Sequence, residues 1–183
     1  MTGTVRAAWP GELRPATDSD AADVQTLIGG CFAEYEGCVL DPEGLDAWMA
    51  APASSYASKG GQFWVLAHQA GEADGLAACV GWGRAGPGRI ELKNLYVSAP
   101  ARRQGLGRRL VALVEAAARE QGADAVVLWS DTRFVDAHRL YQSLGYQRSG
   151  DQRALNDPSN TIEYGFVRLL RAGIEGMSTG EPG

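Results

Sequence analysis

The chain has 183 residues, which is long enough for one domain with a sizeable core and too short for two. Its hydrophobic content of 45% and charged content of 21% are typical of a globular domain. The net charge of −5 argues against nucleic acid as the main partner, because binding to a duplex needs a basic face.

The start of the chain has no apolar core of the kind that a signal peptide carries, so we expect a cytoplasmic protein. No stretch reaches the roughly 18 consecutive apolar residues of a membrane span, and no membrane partner is expected. Three cysteines without a C-x-x-C pair and only two histidines make a metal site unexpected. We predict one folded domain over residues 12–171, between a flexible N-terminus of residues 1–11 and a flexible tail of residues 172–183.

The first regular elements are a short strand that ends at Pro15 and an amphipathic helix. Apolar residues recur at three- and four-residue steps from Val24 to Tyr35, which indicates a helix with one buried face. A second, shorter helix is predicted over "DPEGLDAWM", residues 41–49, with Asp41 as its cap.

The rest of the chain alternates β-rich runs with helical patterns. The helix after residue 107 would carry Glu115 and Arg119 as a surface ion pair. A crossover helix between two strands predicts a mixed, mostly antiparallel α/β sheet with helices on both faces. The predicted strands cover residues 63–68, 75–84, 89–97, 125–129, 146–150 and 162–170, with the last helix over residues 137–144.

The strand over residues 89–97 changes phase along its length. Ile90 and Leu92 share one face, whereas Leu95 and Val97 share the other. This shift predicts a β-bulge near Asn94, a feature often found beside functional sites.

The stretch "ARRQGLGRRL", residues 101–110, carries two glycines and four arginines at the start of a helix. A helix N-terminus presents unpaired N–H groups and a positive dipole end, and glycine lets the backbone approach a ligand closely. The stretch therefore predicts a phosphate site, which a diphosphate would satisfy best. The alternative is a turn before an amphipathic helix with solvated arginines. Nucleoside triphosphates and NAD fit poorly, because their glycine patterns are absent.

Two motifs resemble those of the GCN5-related N-acetyltransferase (GNAT) family. Residues 92–118 resemble its motif A, whose signature Q/R-x-x-G-x-G/A is met by Arg102, Gly105 and Gly107. "AHRLYQSLGY", residues 137–146, resembles the motif that follows it. The resemblance covers nearly the whole chain. It implies the acyl-CoA N-acyltransferase fold with a splayed strand pair, and acetyl-CoA as the acyl donor without a metal.

The resemblance also implies which residues hold acetyl-CoA. Backbone groups of the bulged strand would pair with the pantetheine arm, and one amide there would polarise the thioester carbonyl. The glycine loop would hold the pyrophosphate. Phe134 stands where many relatives carry asparagine, and Ser130, Asp131 or Thr132 could compensate for it. The implied cofactor residues are Leu95, Tyr96 and Val97 in the strand and Arg102, Arg103, Gln104, Gly105, Leu106, Gly107 and Arg108 in the loop.

Two residues are candidates for proton transfer. An amine is protonated near pH 7, so its attack on a thioester needs a base, and Glu91 stands where the family often places a glutamate. The alternative for Glu91 is a solvent-facing residue paired with Lys93 or Arg89. Tyr141 matches the tyrosine that protonates the leaving thiolate in the family. The alternative is that Tyr141 only packs, on the apolar face of its helix.

Substrate selection in such proteins falls to the first helices and to the loop between the last strands. Glu34 and Tyr35 form a carboxylate and aromatic pair suited to a cationic amine, and Asn156 is the candidate from the loop. A wide groove between residues 32–37 and 156–161 would favour a peptide acceptor, whereas a narrow pocket would favour a small molecule.

These residues predict an acetyl-CoA-dependent N-acetyltransferase that moves acetyl to the primary amine of a small molecule by direct attack on the thioester. Cys79 has no neighbouring histidine in the sequence, which disfavours a covalent intermediate. The alternatives are a peptide or protein N-acetyltransferase and a non-catalytic acyl-CoA-binding sensor of the same fold. A homodimer through an exposed strand at residues 163–170 is a further partner suggested by analogy.

Overall fold

Seven strands and four α-helices make up the regular structure of residues 10–68 and 75–170, the part of the chain that the computed structural model describes. Residues 1–9 and 171–183, which hold most of the predicted flexible ends, lie outside the described residues. Among the described residues, no helix is both long and apolar enough to cross a bilayer. The elements are β1 (Leu13–Pro15), α1 (Ala21–Phe32), α2 (Pro52–Ala57), β2 (Gln62–Ala67), β3 (Leu76–Arg84), β4 (Arg89–Val97), α3 (Leu106–Glu120), β5 (Ala125–Asp131), α4 (Val135–Ser143), β6 (Gln147–Ala154) and β7 (Ile162–Leu169).

All strands belong to one sheet in the order β1-β2-β3-β4-β5-β7-β6. Every neighbouring pair is antiparallel except β4 and β5, which the crossover helix α3 connects in parallel. The predicted mixed, mostly antiparallel sheet is therefore confirmed. The single parallel pair is the point where the sheet changes direction, and a helix N-terminus follows each of its two strands.

Helices cover both faces of this sheet. Leu110 and Val114 of α3 pack with Val126 of β5 in one buried cluster. Ile28 of α1 packs with Phe63 of β2 in the other. Burying a side chain of this size contributes about 1.5–3 kcal/mol, so the two clusters hold the middle of the sheet rigidly between the helices.

The pairing between β3 and β4 contains the predicted bulge. Cys79 pairs with Tyr96 and Gly81 pairs with Lys93, so two residues of β4 oppose one residue of β3. Asn94 lies inside the bulge with a positive φ of 51°. The phase change in the sequence located this irregularity correctly.

The parallel pair β4 and β5 separates at the same level. Pairing begins at Arg89 with Ala125 and ends at Leu92 with Leu128. Beyond Leu92, the backbone groups of β4 that face β5 have no partner in the ladder. Backbone groups of this kind, when buried, need a hydrogen-bond partner from elsewhere. The splay leaves a V-shaped opening between the two strands.

The helix predicted over residues 41–49 is wrong. The segment forms turns and a short 3-10 helix over Ala47–Ala50, and α2 follows it unpredicted. The Asp41 carboxylate accepts a hydrogen bond from a backbone N–H four residues later, at 3.0 Å, and Asp46 accepts one from the N–H of Asp41 at 2.9 Å. Such local side-chain bonds compete with a regular helix.

Two further expectations are corrected. β7 lies between β5 and β6, so the strand suggested for a dimer is not an edge of the sheet. Glu115 is buried rather than on the surface, because Arg168 and Tyr146 donate hydrogen bonds to it at 2.5 and 3.1 Å. Arg119 is only its outer partner, at 3.7 Å.

Candidate active site

A cleft of about 600 Å³ runs from the splayed strands to the start of α3. Its walls are the end of β4, the loop before α3 and one side of α4. All of the predicted cofactor residues except Gln104 line it. The cleft therefore joins unpaired backbone of β4 to a helix N-terminus, which is the arrangement that a long ligand with amide groups and a phosphate end requires.

The loop before α3 has the geometry of a phosphate cradle. Gly105 is the N-cap residue of α3 with φ +75°, and space is open where its Cβ would lie. The first backbone hydrogen bond of α3 runs from Arg109 N to Gly105 O, at 3.1 Å. The N–H groups of Leu106, Gly107 and Arg108 therefore have no acceptor within the helix, and they fit a diphosphate.

Gly107 has a second role that its place in the motif does not suggest. A Cβ on Gly107 would lie 2.8 Å from Cδ2 of Leu140, in α4. The missing side chain therefore lets α3 and α4 approach each other along one wall of the cleft.

The Arg102 guanidinium is turned toward helix α1. Its Nε donates to the carbonyl of Val97 at 3.0 Å, and Nη2 donates to Glu34 Oε1 at 2.6 Å. This bond is the main reason why the pKa of the Glu34 carboxyl is lowered. Arg102 consequently ties the end of β4 to the residues just after α1, which leaves the backbone N–H groups as the main partners for a diphosphate.

The structure does not bring the three predicted substrate residues together, because Asn156 lies apart from Glu34 and Tyr35. Glu34 is held by Arg102, and Tyr35 lines the cofactor cleft with its ring 4.8 Å from that of Phe134. Asn156 is exposed, in a loop where it takes a positive φ of 54°. These positions put Glu34 and Tyr35 on the donor side of the splay.

Phe134 fills the position of the asparagine that many relatives carry. It is the N-cap residue of α4, and it lines both the cleft and a second cavity. Ser130 and Asp131 line that second cavity instead of the cleft. Asp131 is also occupied, since Arg133 Nη2 donates to it at 2.6 Å. Neither residue is therefore placed to replace the missing amide.

The second cavity, of about 620 Å³, lies on the other side of the splay. It meets the cleft at Leu95, Tyr96, Phe134 and Ala137, which line both. Its walls combine aromatic rings with charged groups. The aromatic residues are Phe32, Trp48, Tyr56, Tyr96, Trp129, Phe134 and Tyr141, and the carboxylates are Asp46, Glu91, Asp131, Asp157 and Glu163.

Glu91 projects into this cavity from β4. Its side chain is mostly buried and lies 3.0 Å from Lys93 Nζ, so the ion pair weighed as an alternative exists within the cavity. Glu163 of β7 lines the same space and accepts a hydrogen bond from Arg153 Nε at 2.6 Å. Burial raises the pKa of the Glu163 carboxyl, and the negative charge of Glu91 raises it further. The charge of Glu91 thus acts on Glu163 across one cavity.

Tyr141 is buried in α4 and lines the second cavity. Its ring packs against those of Tyr146 and Phe166, with centroids 5.9 Å away in each case. Burial raises the pKa of the Tyr141 hydroxyl well above its ordinary value. The phenol therefore stays protonated at neutral pH, which is the form that a proton donor to a thiolate needs.

The cysteines near the splay are not poised as nucleophiles. Cys79 is fully buried in β3 and donates to the carbonyl of Asn94 at 3.4 Å. Cys31 donates to the carbonyl of Val97 at 3.6 Å. Burial raises the pKa of both thiols, so both are protonated at neutral pH.

The structure also brings residues to the site that the sequence did not single out. Tyr56 comes from α2, and Arg153 lies with its guanidinium 4.4 Å from the ring centre of Trp129. Trp129 itself lies half-buried in the cavity wall. No local pattern marks these residues, because their partners are distant in the chain.

A splayed strand pair beside a glycine-marked helix start defines the class of fold as that of the N-acyltransferases. The Acetyltransferase (GNAT) family model matches residues 23–146, and the chain belongs to this family. The resemblance seen in the two motifs is thereby confirmed.

Individual relatives agree with this assignment. The chain is 36% identical to rat N-acetyltransferase family 8 member 2 over 108 residues, which are 58% of this chain and 47% of that protein. It thus spans about half the length of the first curated relatives it matches. A GNAT-family acetyltransferase from Staphylococcus aureus Mu50 shares the fold with a TM-score of 0.71 at 18% identity, covering 87% of this chain and 99% of that one. A Salmonella typhimurium protein solved with its cofactor acetyl-CoA has a TM-score of 0.64 at 17% identity, covering 91% and 98%.

Proposed function

We propose that the protein transfers the acetyl group of acetyl-CoA to the primary amine of a small molecule by direct attack. The observation that carries this proposal is the meeting of the cleft and the second cavity at Leu95 and Tyr96. An acyl donor in the cleft and an amine in the cavity would reach each other at the bulged strand. Acetyl-CoA supplies the acyl group in activated form, as a thioester.

The residues around that meeting point have complementary roles. The N–H groups at the start of α3 hold the diphosphate, and an amide between Leu95 and Val97 polarises the carbonyl under attack. Glu91 accepts a proton from the amine, directly or through water, and Tyr141 donates one to the leaving thiolate. Cys79 takes no part, because its buried thiol is protonated and bonded to Asn94.

Contacts between the segment after α1 and the loop between β6 and β7 support a small acceptor over a peptide. Ser159 Oγ accepts a hydrogen bond from Val39 N at 2.9 Å and donates one to Val39 O at 3.0 Å. Arg133 Nη1 also donates to the carbonyl of Glu36, at 3.4 Å. The bonds of Val39 join the segment after α1 directly to the loop between β6 and β7. Arg133, between β5 and α4, links the same two segments, because its Nη2 also donates to Thr161 Oγ1 at 3.3 Å. These bonds bridge the groove between residues 32–37 and 156–161, through which an extended peptide would have to pass.

The test is release of free thiol from acetyl-CoA across a panel of small primary amines and peptides, with direct binding of acetyl-CoA measured by calorimetry. We expect binding together with turnover on one class of small amines. Turnover on peptides alone would make the acceptor a polypeptide. Binding without turnover on any amine would favour the sensor alternative. Absence of both binding and turnover would refute the proposed function.

A further inference from the structure

Asn94 is held through both its backbone and its side chain. Its carbonyl accepts a hydrogen bond from Cys79 Sγ at 3.4 Å, and its Nδ2 donates to the hydroxyl of Tyr56 at 2.6 Å. The second bond links the bulge of β4 to helix α2, 38 residues earlier in the chain. A residue with positive φ is uncommon outside glycine, and asparagine is among those that tolerate it best. The bulge is thus anchored from outside its own hairpin.

Tyr56 is itself held in one position. It is buried, with its ring centre 5.0 Å from that of Phe63 and 5.5 Å from that of Trp48. A Cβ on Gly81 would lie only 2.3 Å from the Tyr56 ring, so the ring rests directly on the backbone of β3 next to the bulge. A glycine in the middle of β3 therefore makes room for this tyrosine.

We propose that Tyr56 and Asn94 act together as positioning residues, because their hydrogen bond keeps the bulge at residue 94 and so keeps in place those amides within Leu95–Val97 that face the cleft rather than β3. A bulge is one extra residue, and moving it along the strand by one position turns each intervening side chain to the other face of the sheet. The inference rests on the proposed function, in which one of these amides acts on the thioester.

The location of the Tyr56–Asn94 hydrogen bond, the anchor of the bulge, determines whether its loss should change turnover or ligand affinity. The diphosphate cradle at the start of α3 lies on a separate element and makes no contact with Tyr56 in the described structure. Loss of the anchor should therefore lower kcat by about ten- to a hundredfold, because the carbonyl and its amide partner are misplaced. The affinity for ADP, which has the diphosphate but lacks the pantetheine arm that the bulged strand would bind, should stay within about twofold of the wild-type value.

Two variants remove the anchor from opposite ends. Tyr56→Phe keeps the ring and removes only the hydroxyl, and Asn94→Gly keeps the positive φ and removes only the amide group. Backbone hydrogen exchange of Ser98, whose N–H donates to Ala77 O at 2.8 Å just after the bulged segment, should accelerate about tenfold or more in both variants when it is followed by NMR without ligand. The double variant should be no faster than the singles, because both remove the same bond. Tyr164→Phe, in β7, is the matched control and should leave this exchange unchanged.

The outcomes separate the inference from the proposed function. Unchanged exchange in both folded single variants, or additive effects in the double variant, would overturn the positioning role. Faster exchange with an unchanged kcat would overturn its link to catalysis. If the wild-type protein acetylates nothing, the proposed function fails, while the exchange result still decides whether the pair holds the bulge. Should Tyr56→Phe fail to fold, Asn94→Gly carries the test through its hydrogen exchange and its affinity for ADP.

Discussion

Replacing Gly107 by alanine tests the packing role of the second glycine in the loop. The new Cβ would lie 2.8 Å from Leu140 Cδ2, whereas such carbon pairs normally lie about 3.5–4.0 Å apart. Leu140 must therefore withdraw by about 1 Å. Leaving its preferred rotamer costs about 0.5–1.5 kcal/mol. Alanine gains about 1 kcal/mol over glycine inside a helix, so the free energy of unfolding should barely change.

Ligand binding should change instead. Leu140 is half-buried and lines the cleft, so a shift of its side chain alters the cleft wall. We expect the Kd for acetyl-CoA, measured by calorimetry, to rise about three- to tenfold, which corresponds to about 1 kcal/mol. The double variant Gly107→Ala with Leu140→Ala restores the space and should recover most of that affinity.

Gly105→Ala provides the contrast. Its φ of +75° strains any residue with a Cβ by about 1–2 kcal/mol, and no neighbour lies where the Cβ would be. The melting temperature should therefore fall by about 2–8 °C. Two results would refute the packing role of Gly107. One is a wild-type Kd for acetyl-CoA in Gly107→Ala, and the other is a Kd that does not recover when Leu140→Ala is added.

The remaining predictions concern a proton acceptor and two buried charges. Glu91→Gln should lower kcat about a hundredfold in the thiol-release assay with the Kd for acetyl-CoA unchanged, and an unchanged kcat would exclude Glu91 as the base. The hydrogen bond from Arg14 lowers the pKa of Asp20 to about 2 from its ordinary 3.8, so its stabilising effect is complete above about pH 4 and is lost as pH falls toward 2. Asp20→Asn should accordingly cost about 1–2 kcal/mol in urea unfolding at pH 7 and little near pH 2, and a gap that does not vary with pH would contradict this. Glu115→Ala should lower the free energy of unfolding by about 2–4 kcal/mol, because Arg168 and Tyr146 lose their hydrogen-bond acceptor. Asp136→Ala is the control: it breaks only an exposed ion pair and should change the free energy of unfolding by less than about 0.5 kcal/mol.

The features that could be predicted are those that short stretches of sequence encode. The bulge at Asn94 follows from the alternation of side chains along one strand, since each residue reverses the face. The cradle follows from Gly105, because a left-handed N-cap residue at a helix start requires glycine there. Neither inference needs a contact from elsewhere in the fold.

The features that could not be predicted depend on distant segments. The loop sequence predicts Arg102 as a phosphate ligand, yet its guanidinium donates a hydrogen bond to Glu34, just after the end of α1. Glu115 fits the spacing of a surface ion pair, yet Arg168 of β7 makes it a buried acceptor. The wrong prediction of a helix over residues 41–49 has a local cause instead, because aspartate side chains there accept hydrogen bonds from nearby backbone N–H groups.

The sequence by itself determined the family and the elements that line the cleft, because a glycine loop at a helix start and a bulged strand are local in the chain. Only the tertiary structure decided the second cavity. This cavity draws side chains from α1, α2, β4, β5 and the last hairpin. The bond from Val39 N to Ser159 Oγ, between segments that contribute to its lining, joins residues 120 positions apart. Contacts at such separations arise from the packing of the whole sheet and its helices, and no periodicity in the sequence encodes them.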